Sequence, residues 1–253
     1  MTAAGSMTGT ATRRPARRPG VRQFVPPQHG AWAMLAVPWL GGVLTAGFHW
    51  VHLPLLGAWL AGYLCSYYVL QAVKTRRPAR FRAQLLLYAP LAVVLAGLVV
   101  AVRPQVLAYA PVYALLSACN ALYARRRRER ALLNDIASVV QSCVMVFVAA
   151  TVAGTPPGEV VPVFAAVLLY FTGTVLYVKT MIRERDNPAY LRASVTYHAA
   201  AAAAATLLGG LPAVVFTLLL ARAVVIPRFR LAPKHVGMIE LGACVLLLAA
   251  VTT

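Results

Sequence analysis

The stretch Tyr170-Phe-Thr-Gly-Thr-Val-Leu-Tyr-Val-Lys-Thr-Met-Ile-Arg-Glu-Arg-Asp-Asn187 decides the architecture of this chain. It begins as an apolar helix of the kind that crosses a membrane, and it ends in a cluster of charged residues. Lys179, Arg183 and Asp186 stand at positions i, i+4 and i+7, so they share one helical face. Glu184 and Asp186 are two of only six acidic residues in the chain. The pattern predicts a membrane helix that brings a polar site to one side of the bilayer.

The composition of the chain places it among integral membrane proteins. Of its 253 residues, 60% are hydrophobic and 12% are charged, whereas a soluble domain carries about 25% charged residues. The fold class predicted from these values is all-α, a polytopic membrane bundle. The four cysteines lie in apolar stretches without metal-ligand spacing, so neither a disulfide nor a zinc site is inferred.

The chain divides into a tail and one transmembrane domain. Residues 1–25 are rich in Arg, Pro, Gly and Thr, which predicts a disordered basic tail in the cytoplasm. Residues 26–253 form a single helical domain with about nine transmembrane helices. The predicted spans are 31–48, 53–73, 83–102, 105–123, 133–153, 160–178, 195–208, 212–226 and 236–251. The seventh and eighth meet at Gly209-Gly210-Leu211-Pro212, which suits either a tight turn or one broken helix. The turn is preferred because it gives a consistent topology.

The distribution of Lys and Arg predicts the orientation in the membrane. The tail and every second loop hold 5, 5, 5, 4 and 4 of these residues, whereas the alternate loops hold only Arg103. Positive residues concentrate on the cytoplasmic side, so nine spans put the N-terminus in the cytoplasm and the C-terminus outside the cell membrane. The net charge of +18 is then explained by topology and by anionic membrane lipids, and nucleic acid is not expected as a partner.

Polar residues form helical stripes toward the cytoplasmic ends of several spans. The second span carries Gln71 and Lys74, and the fourth carries Asn120. Asp135 opens the fifth span, and His198 lies one turn into the seventh. These residues either make interhelical hydrogen bonds or line a cytosolic-side cavity. A cavity that is apolar inside and cationic at its mouth suits an anionic lipid.

His29 precedes the first span in the sequence Gln28-His-Gly-Ala-Trp32. A histidine at the membrane entrance suits either a structural role or head-group binding and proton exchange. Pro38 and Gly41-Gly42 interrupt the same span, which predicts a kink or a close approach by a neighbouring helix.

Two stretches resemble a known family. The sequence Pro26-Pro-Gln-His-Gly-Ala-Trp-Ala-Met-Leu-Ala-Val-Pro38, together with Lys179-Thr-Met-Ile-Arg-Glu-Arg185, resembles the YwiC-like family of bacterial membrane proteins. That family has no settled biochemical function, so the resemblance implies membership and no activity.

The nine-span plan is also similar to the UbiA superfamily of intramembrane prenyltransferases. In that family a Tyr followed by a basic pair closes helix 4, and magnesium-binding Asp-rich motifs close helices 2 and 6. The sequence Tyr123-Ala-Arg-Arg-Arg-Arg128, followed by Asn134-Asp-Ile-Ala-Ser, resembles the helix-4 feature. The resemblance therefore implies that Arg127 and Arg128 are the basic pair.

The Asp-rich motifs are matched poorly. Thr75 and Ala79 occupy the acid positions of the first motif, and Glu184 and Asp186 lack the spacing of the second. Magnesium prefers carboxylate ligands, so magnesium is weakly supported as a cofactor. Lys74 and its neighbouring arginines would neutralise a diphosphate directly instead.

Three functions stay open at this point. The first is a UbiA-like protein that binds an isoprenoid or phosphorylated lipid in the cavity. The catalytic version of this hypothesis is a divergent transferase. The second is a transporter in which Asp135 and Glu240 are ion sites and His198 is a relay. The third is a non-catalytic membrane scaffold. The candidate catalytic residues are Asp135, Glu184 and Asp186. The candidate ligand-binding residues are His29, Gln71, Lys74, Asn120, Arg127, Arg128, Lys179, Arg183, Asn187 and His198.

Overall fold

The structure is a computed structural model that describes residues 24–26 and 29–252, without the side chain of His29. The predicted basic tail, residues 1–25, lies outside the described residues except for its last two positions. The predicted role of the His29 side chain likewise lies outside them.

Ten α-helices make up most of the described part of the chain, and no strand is found within it. The all-α prediction is therefore confirmed. The helices are α1 (His29–Ala46), α2 (His52–Thr75), α3 (Arg82–Val102), α4 (Ala110–Arg125), α5 (Leu132–Cys143), α6 (Met145–Ala153), α7 (Val161–Ile182), α8 (Pro188–Ala205), α9 (Gly210–Val225) and α10 (Pro233–Thr252).

Proline and glycine residues mark where these helices begin and end. Pro188 and Pro233 are the first residues of α8 and α10, a position where the missing N–H costs no hydrogen bond. Gly47 and Gly154 follow the last residues of α1 and α6 with φ values of +86° and +87°. This left-handed conformation ends a helix and carries no steric penalty in glycine.

Seven helical segments are long and apolar enough to cross a bilayer. They are His52–Thr75, Pro78–Val102, Pro104–Arg125, Leu132–Ala153, Pro157–Ile182, Gly210–Arg228 and Pro233–Thr252. The segment Gly30–Ala46 is also apolar but shorter. The outward faces of α3 and α4 expose mainly leucine and valine, as expected of surfaces in contact with lipid. The chain is a multi-pass membrane protein.

Helix α7 lies at the centre of the bundle. Its buried residues include Val163, Val167, Tyr170 and Tyr177, and it packs against α1, α5, α8 and α10. A second apolar cluster joins α1, α2 and α6 around Val43, whereas α3 and α4 are the most exposed helices. The stretch 170–187 therefore comprises the C-terminal part of this central helix and the link to α8.

The start of the predicted seventh span was wrong by seven residues. The prediction began it at residue 195, but α8 begins at Pro188. The side chain of Asn187 accepts a hydrogen bond from the backbone N–H of Ala189 at 3.1 Å. An Asn cap followed by Pro is a helix start signal that the apolar pattern alone does not reveal. The predicted turn after this helix is confirmed, since α8 and α9 lie on either side of Gly209 and pack against each other, which the two halves of one broken helix would not do.

Candidate anion-binding site

The C-terminal ends of α2, α4 and α7 converge on one loop at the same end of the bundle. Lys74, near the end of α2, pairs with Glu129 in the α4–α5 link, with 2.8 Å between Nζ and Oε1. Lys179, near the end of α7, donates from Nζ to the backbone oxygen of Arg130 in that link at 2.7 Å. Three helices that are far apart in the sequence therefore hold the loop 126–131.

A cavity of about 500 Å³ lies against this loop. We call it the cationic cavity, and its lining residues are Lys74, Arg127, Arg128, Glu129, Arg130 and Ala131. Four of these residues are cationic and one is acidic, so the lining carries a net positive charge. Arginine guanidinium groups and lysine ammonium groups are the side chains that bind phosphate oxygens best.

The backbone at the end of α4 gives the arginine pair its position. Arg128 donates its backbone N–H to the oxygen of Tyr123 at 2.9 Å, and Arg127 donates to the oxygen of Ala124 at 3.0 Å. Arg127 adopts a φ of +56°, which costs an L-residue other than glycine roughly 1–2 kcal/mol. The loop thus has an arginine where a glycine would be the less strained residue.

Glu129 is held in its ionised form by its partner. Burial alone would raise the pKa of Glu129, but the hydrogen bond and the charge of Lys74 bring that pKa below its usual value. The carboxylate therefore competes with any bound anion for Lys74.

A ladder of amide and hydroxyl groups runs between α4 and α5, on the helices that flank the loop. Asn120 donates from Nδ2 to Gln141 Oε1 at 3.0 Å, and Gln141 donates from Nε2 to Ser117 Oγ at 3.1 Å. Ser138 Oγ donates to Asn120 Oδ1 at 3.4 Å. The predicted polar stripes of the fourth and fifth spans thus meet one another, and Asn120 lies in this ladder rather than in the cationic cavity. Gln71 lies one turn before Lys74 on α2 and is outside the cavity lining.

Lys179 and Asp135, which the sequence assigned to different roles, form one ion pair. Lys179 Nζ lies 2.8 Å from Asp135 Oδ2, and the side chain of Lys179 is only 8% exposed. Because its charge is already matched by Asp135 and its other contact is the backbone oxygen of Arg130, Lys179 positions the loop. This geometry does not favour direct anion binding by Lys179, and it leaves Asp135 as a counter-ion.

A second cavity, of about 450 Å³, surrounds the α7–α8 link. We call it the mixed-charge cavity, and its lining residues are Ile182, Arg183, Glu184, Arg185, Asp186, Asn187 and Arg230. Four of the sequence candidates meet here, together with Arg230 from the α9–α10 link, which sequence reasoning did not place in the site.

Three of the six polar residues that line the mixed-charge cavity already have structural partners. Asn187 caps α8 and donates from Nδ2 to Glu184 Oε2 at 3.0 Å. Arg185 donates to the backbone oxygens of Met181 and Leu231. Asn187 and Glu184 therefore have local structural partners, and the cavity is less suited to a ligand than the cationic cavity is.

A magnesium site is not formed by the acids at the end of α7. No group of three or more His, Cys, Asp or Glu side chains suited to a metal ion is found among residues 24–26 and 29–252. Glu184 is engaged by Asn187, so the donor set that a hard cation requires is incomplete. No step is therefore assigned to a metal here.

His198 lies in a third polar cluster inside the bundle. It is 3% exposed, and its Nε2 lies 3.2 Å from a terminal guanidinium nitrogen of Arg222. Arg222 in turn forms an ion pair with Glu240 of α10. His198 thus has partners different from those of the two cavities. Sequence reasoning counted Arg222 only as a loop charge, although its position inside the apolar segment 210–225 was a usable signal.

These features define a multi-pass helical membrane protein with a cationic cavity at one end of its bundle. A family model for YwiC-like proteins matches residues 25–150. The uncharacterized protein YwiC of Bacillus subtilis (strain 168) is 34% identical over 179 residues, which cover 70% of this chain and 75% of the relative. An uncharacterized protein of Haemophilus influenzae (strain ATCC 51907 / DSM 11121 / KW20 / Rd) is 32% identical over 222 residues, which cover 84% and 90%. The chain belongs to the YwiC-like family. No solved structure matches it at a significant level.

Proposed function

We propose that this protein binds the phosphate group of an anionic lipid, of the isoprenoid or phospholipid class, in the cationic cavity. The observation that supports this most is that Lys74 of α2 and Arg127 and Arg128 of the α4–α5 link line one cavity at the end of a membrane bundle. A phosphate there would reach several cationic donors while its apolar chain lay along exposed helix faces.

The orientation that we propose places this cavity on the cytoplasmic side. Nine spans, counting α5 and α6 as one and including α1 and α8, put the N-terminus in the cytoplasm and the C-terminus outside the cell membrane. The positive-inside distribution of Lys and Arg supports this arrangement. A lipid phosphate from the cytoplasmic leaflet would then lie level with the cavity.

A UbiA-like architecture belongs to the same proposal. It is supported by the arginine pair after Tyr123. This pair lies in the loop that is contacted by Lys179, near the C-terminal end of α7. In a UbiA-like site the lipid would be an allylic diphosphate, and the arginines would stabilise negative charge on the leaving group.

The test is a comparison of two matched arginine variants. Arg127→Asn removes the charge of a cavity-lining residue and keeps the left-handed backbone, which Asn tolerates well. Arg126→Asn removes the same charge from a neighbour that is exposed and outside the lining. Both variants keep the transmembrane helices unchanged.

The assay measures binding of farnesyl diphosphate and of phosphatidylglycerol to the full chain in detergent. A charge-assisted hydrogen bond contributes about 1.5–3 kcal/mol, so Arg127→Asn is expected to weaken binding about tenfold or more. Arg126→Asn is expected to leave it within about twofold, since an exposed charge outside the site contributes little. Equal effects of the two variants, or none, would reject the site. Release of inorganic diphosphate would show that the site ionises the probe, and transfer of the farnesyl group to an added acceptor alcohol would make it a transferase, whereas an intact probe would make it a binding site.

A further inference from the structure

The third polar cluster is built from four helices around one buried arginine. Arg222 of α9 is 8% exposed, and it donates to Glu240 of α10. Glu240 also accepts from Thr174 of α7 at 2.8 Å and from Tyr170 at 3.2 Å. An ion pair inside a membrane bundle is expensive to bury, which makes this cluster a candidate functional site.

The hydrogen bonds of His198 determine which of its ring nitrogens carries a proton. Its Nδ1 lies 2.7 Å from the backbone oxygen of Ser194, and a carbonyl oxygen only accepts, so Nδ1 carries the proton. Nε2 is then free to accept from Arg222 at 3.2 Å. A proton on Nε2 would face the guanidinium N–H, so His198 is neutral here and does not act as a relay in this arrangement.

Buried polar atoms of Arg222 and of one residue on each of the neighbouring helices α7 and α8 lack a partner. Arg222 Nε, Tyr177 Oη and Ser194 Oγ have no hydrogen-bond partner in the described part of the chain. Tyr177 and Ser194 are 0% and 1% exposed, and the guanidinium carbon of Arg222 lies 4.1 Å from the centre of the Tyr177 ring. Unpartnered buried donors are rare and costly, so they point to a ligand.

The geometry of the guanidinium indicates which ligand fits. One edge of an arginine presents Nε–H beside a terminal N–H, and this pair of donors matches two oxygens of a carboxylate or phosphate. In Arg222 the terminal nitrogen Nη2 contacts only the neutral His198, and Nε is unpartnered. Glu240 is bound through the other terminal nitrogen.

We propose that Arg222 is a binding site inside the bundle for one oxyanion, and that Glu240 is its built-in competitor. When the anion binds at the Nε–Nη2 edge, one guanidinium charge faces two buried negative charges, so the Glu240 carboxylate on Nη1 takes up one proton and becomes a neutral carboxylic acid. One negative charge enters with one proton, so the charge of the bundle is unchanged. Anion binding is therefore coupled to proton uptake.

The groups around Glu240 leave this carboxylate as the one that takes up the proton when an anion binds to Arg222. Helix α7 contributes Tyr170 and Thr174, α8 contributes the neutral His198, and α10 itself contributes Cys244, whose sulfur lies 3.3 Å from Tyr170 Oη. Helix α1 also packs against α10, but its positions 30–46 contain no ionisable residue. No second carboxylate is therefore present in this group to take the proton.

The experiment measures anion affinity against pH with the full chain in phospholipid-free detergent. The probe is benzoate, a carboxylate whose single negative charge is constant between about pH 6 and 8. If one proton is taken up for each anion, the affinity of the unmodified protein rises about tenfold for each unit by which pH falls. Glu240→Gln is expected to bind more tightly than the unmodified protein, without this pH dependence.

The controls separate this site from the cationic cavity. The double variant Arg222→Gln with Glu240→Gln removes both charges and is expected to lose binding, whereas Arg126→Asn, an exposed charge outside the cationic cavity, is expected to keep the full pH dependence. Loss of the pH dependence in Arg127→Asn would assign the anion to the cationic cavity and overturn the proposal. Competition by phosphatidylglycerol in nanodiscs would assign the anion to a lipid head group, and its absence would assign it to a free anion. Binding that does not depend on pH, binding that survives in the double variant, or no binding at all would overturn the proposal.

Discussion

Gly42 permits a close contact between two helices, and the addition of a single methyl group tests it. A Cβ atom at Gly42 would lie 2.7 Å from Ala149 Cβ, 2.7 Å from the backbone oxygen of Val146 and 3.2 Å from Val146 Cα. None of these atoms is the end of a flexible side chain. Helices α1 and α6 would therefore have to separate to accept Gly42→Ala.

The size of the effect follows from that separation. The methyl group must move by about 1 Å to reach an ordinary contact distance of about 3.5–4.0 Å, and overpacking of this kind costs about 1–3 kcal/mol. The matched control is Gly62→Ala in α2, where no atom lies within 4 Å of the added Cβ. Ala exceeds Gly in helix propensity by up to about 1 kcal/mol, so this control is expected to be neutral or stabilising.

The assay is thermal unfolding of the detergent-solubilised protein, followed by fluorescence-detected gel filtration. An intermediate variant makes the test graded: at Gly41 a Cβ would meet side-chain atoms only, the nearest being Val163 Cγ1 at 3.0 Å. We expect Gly42→Ala to be the least stable, Gly41→Ala to be intermediate and Gly62→Ala to match or exceed the unmodified protein. A Gly42→Ala variant as stable as Gly62→Ala would refute the close packing of α1 on α6.

Three further predictions concern the ion pairs. Arg222→Leu is expected to lower the free energy of unfolding by about 3–5 kcal/mol, because it leaves a buried carboxylate unpaired, and adding Glu240→Leu should recover most of that loss. The unfolding midpoints of the two variants would check this prediction. A double variant no more stable than the single variant would contradict it. The Lys74–Glu129 pair is partly exposed, at 42% and 29%, so it should contribute at most about 1 kcal/mol. Because the pKa of folded Glu129 is lowered, this contribution is present above the ordinary glutamate range of about pH 4–5 and is lost as pH falls through the folded pKa. Unfolding midpoints across pH should show this loss in the unmodified protein and not in Glu129→Gln. Lys179→Met should destabilise the α4–α5 link and weaken lipid binding in the cationic cavity, and unchanged affinity would show that the link needs no such support.

The parts of the fold that depend on local chemistry were predictable from the sequence. Apolar run lengths predicted the helical bundle. The Gly41-Gly42 pair indicated either a kink or a close helix approach, and α6 makes the close approach at Gly42. The start of α8 was missed because Asn187 and Pro188 are a capping signal outside the apolar run. Boundaries depend on such caps, whereas the existence of a span depends on its total apolarity.

The pairing of charged side chains could not be predicted, because it depends on which helices become neighbours. Lys179 and Asp135 were both candidates, but nothing in their spacing joined them. The buried position of Arg222 was not predicted for a different reason. A positive charge near the end of an apolar run is also what the positive-inside rule requires. Only the positions of α8 and α10 show that it points to His198 and Glu240.

Most acidic side chains of this chain are already bound to other groups of the protein. Three of the six form ion pairs with cations on other parts of the chain, and Glu184 accepts from Asn187. The remaining two, Glu159 and Asp186, lie at opposite ends of the 22-residue helix α7, which are about 33 Å apart at 1.5 Å per residue. They are too distant to share a ligand. The carboxylates of this protein are therefore placed as counter-ions of Lys74, Lys179 and Arg222, and a ligand that replaces one of them must itself be an anion.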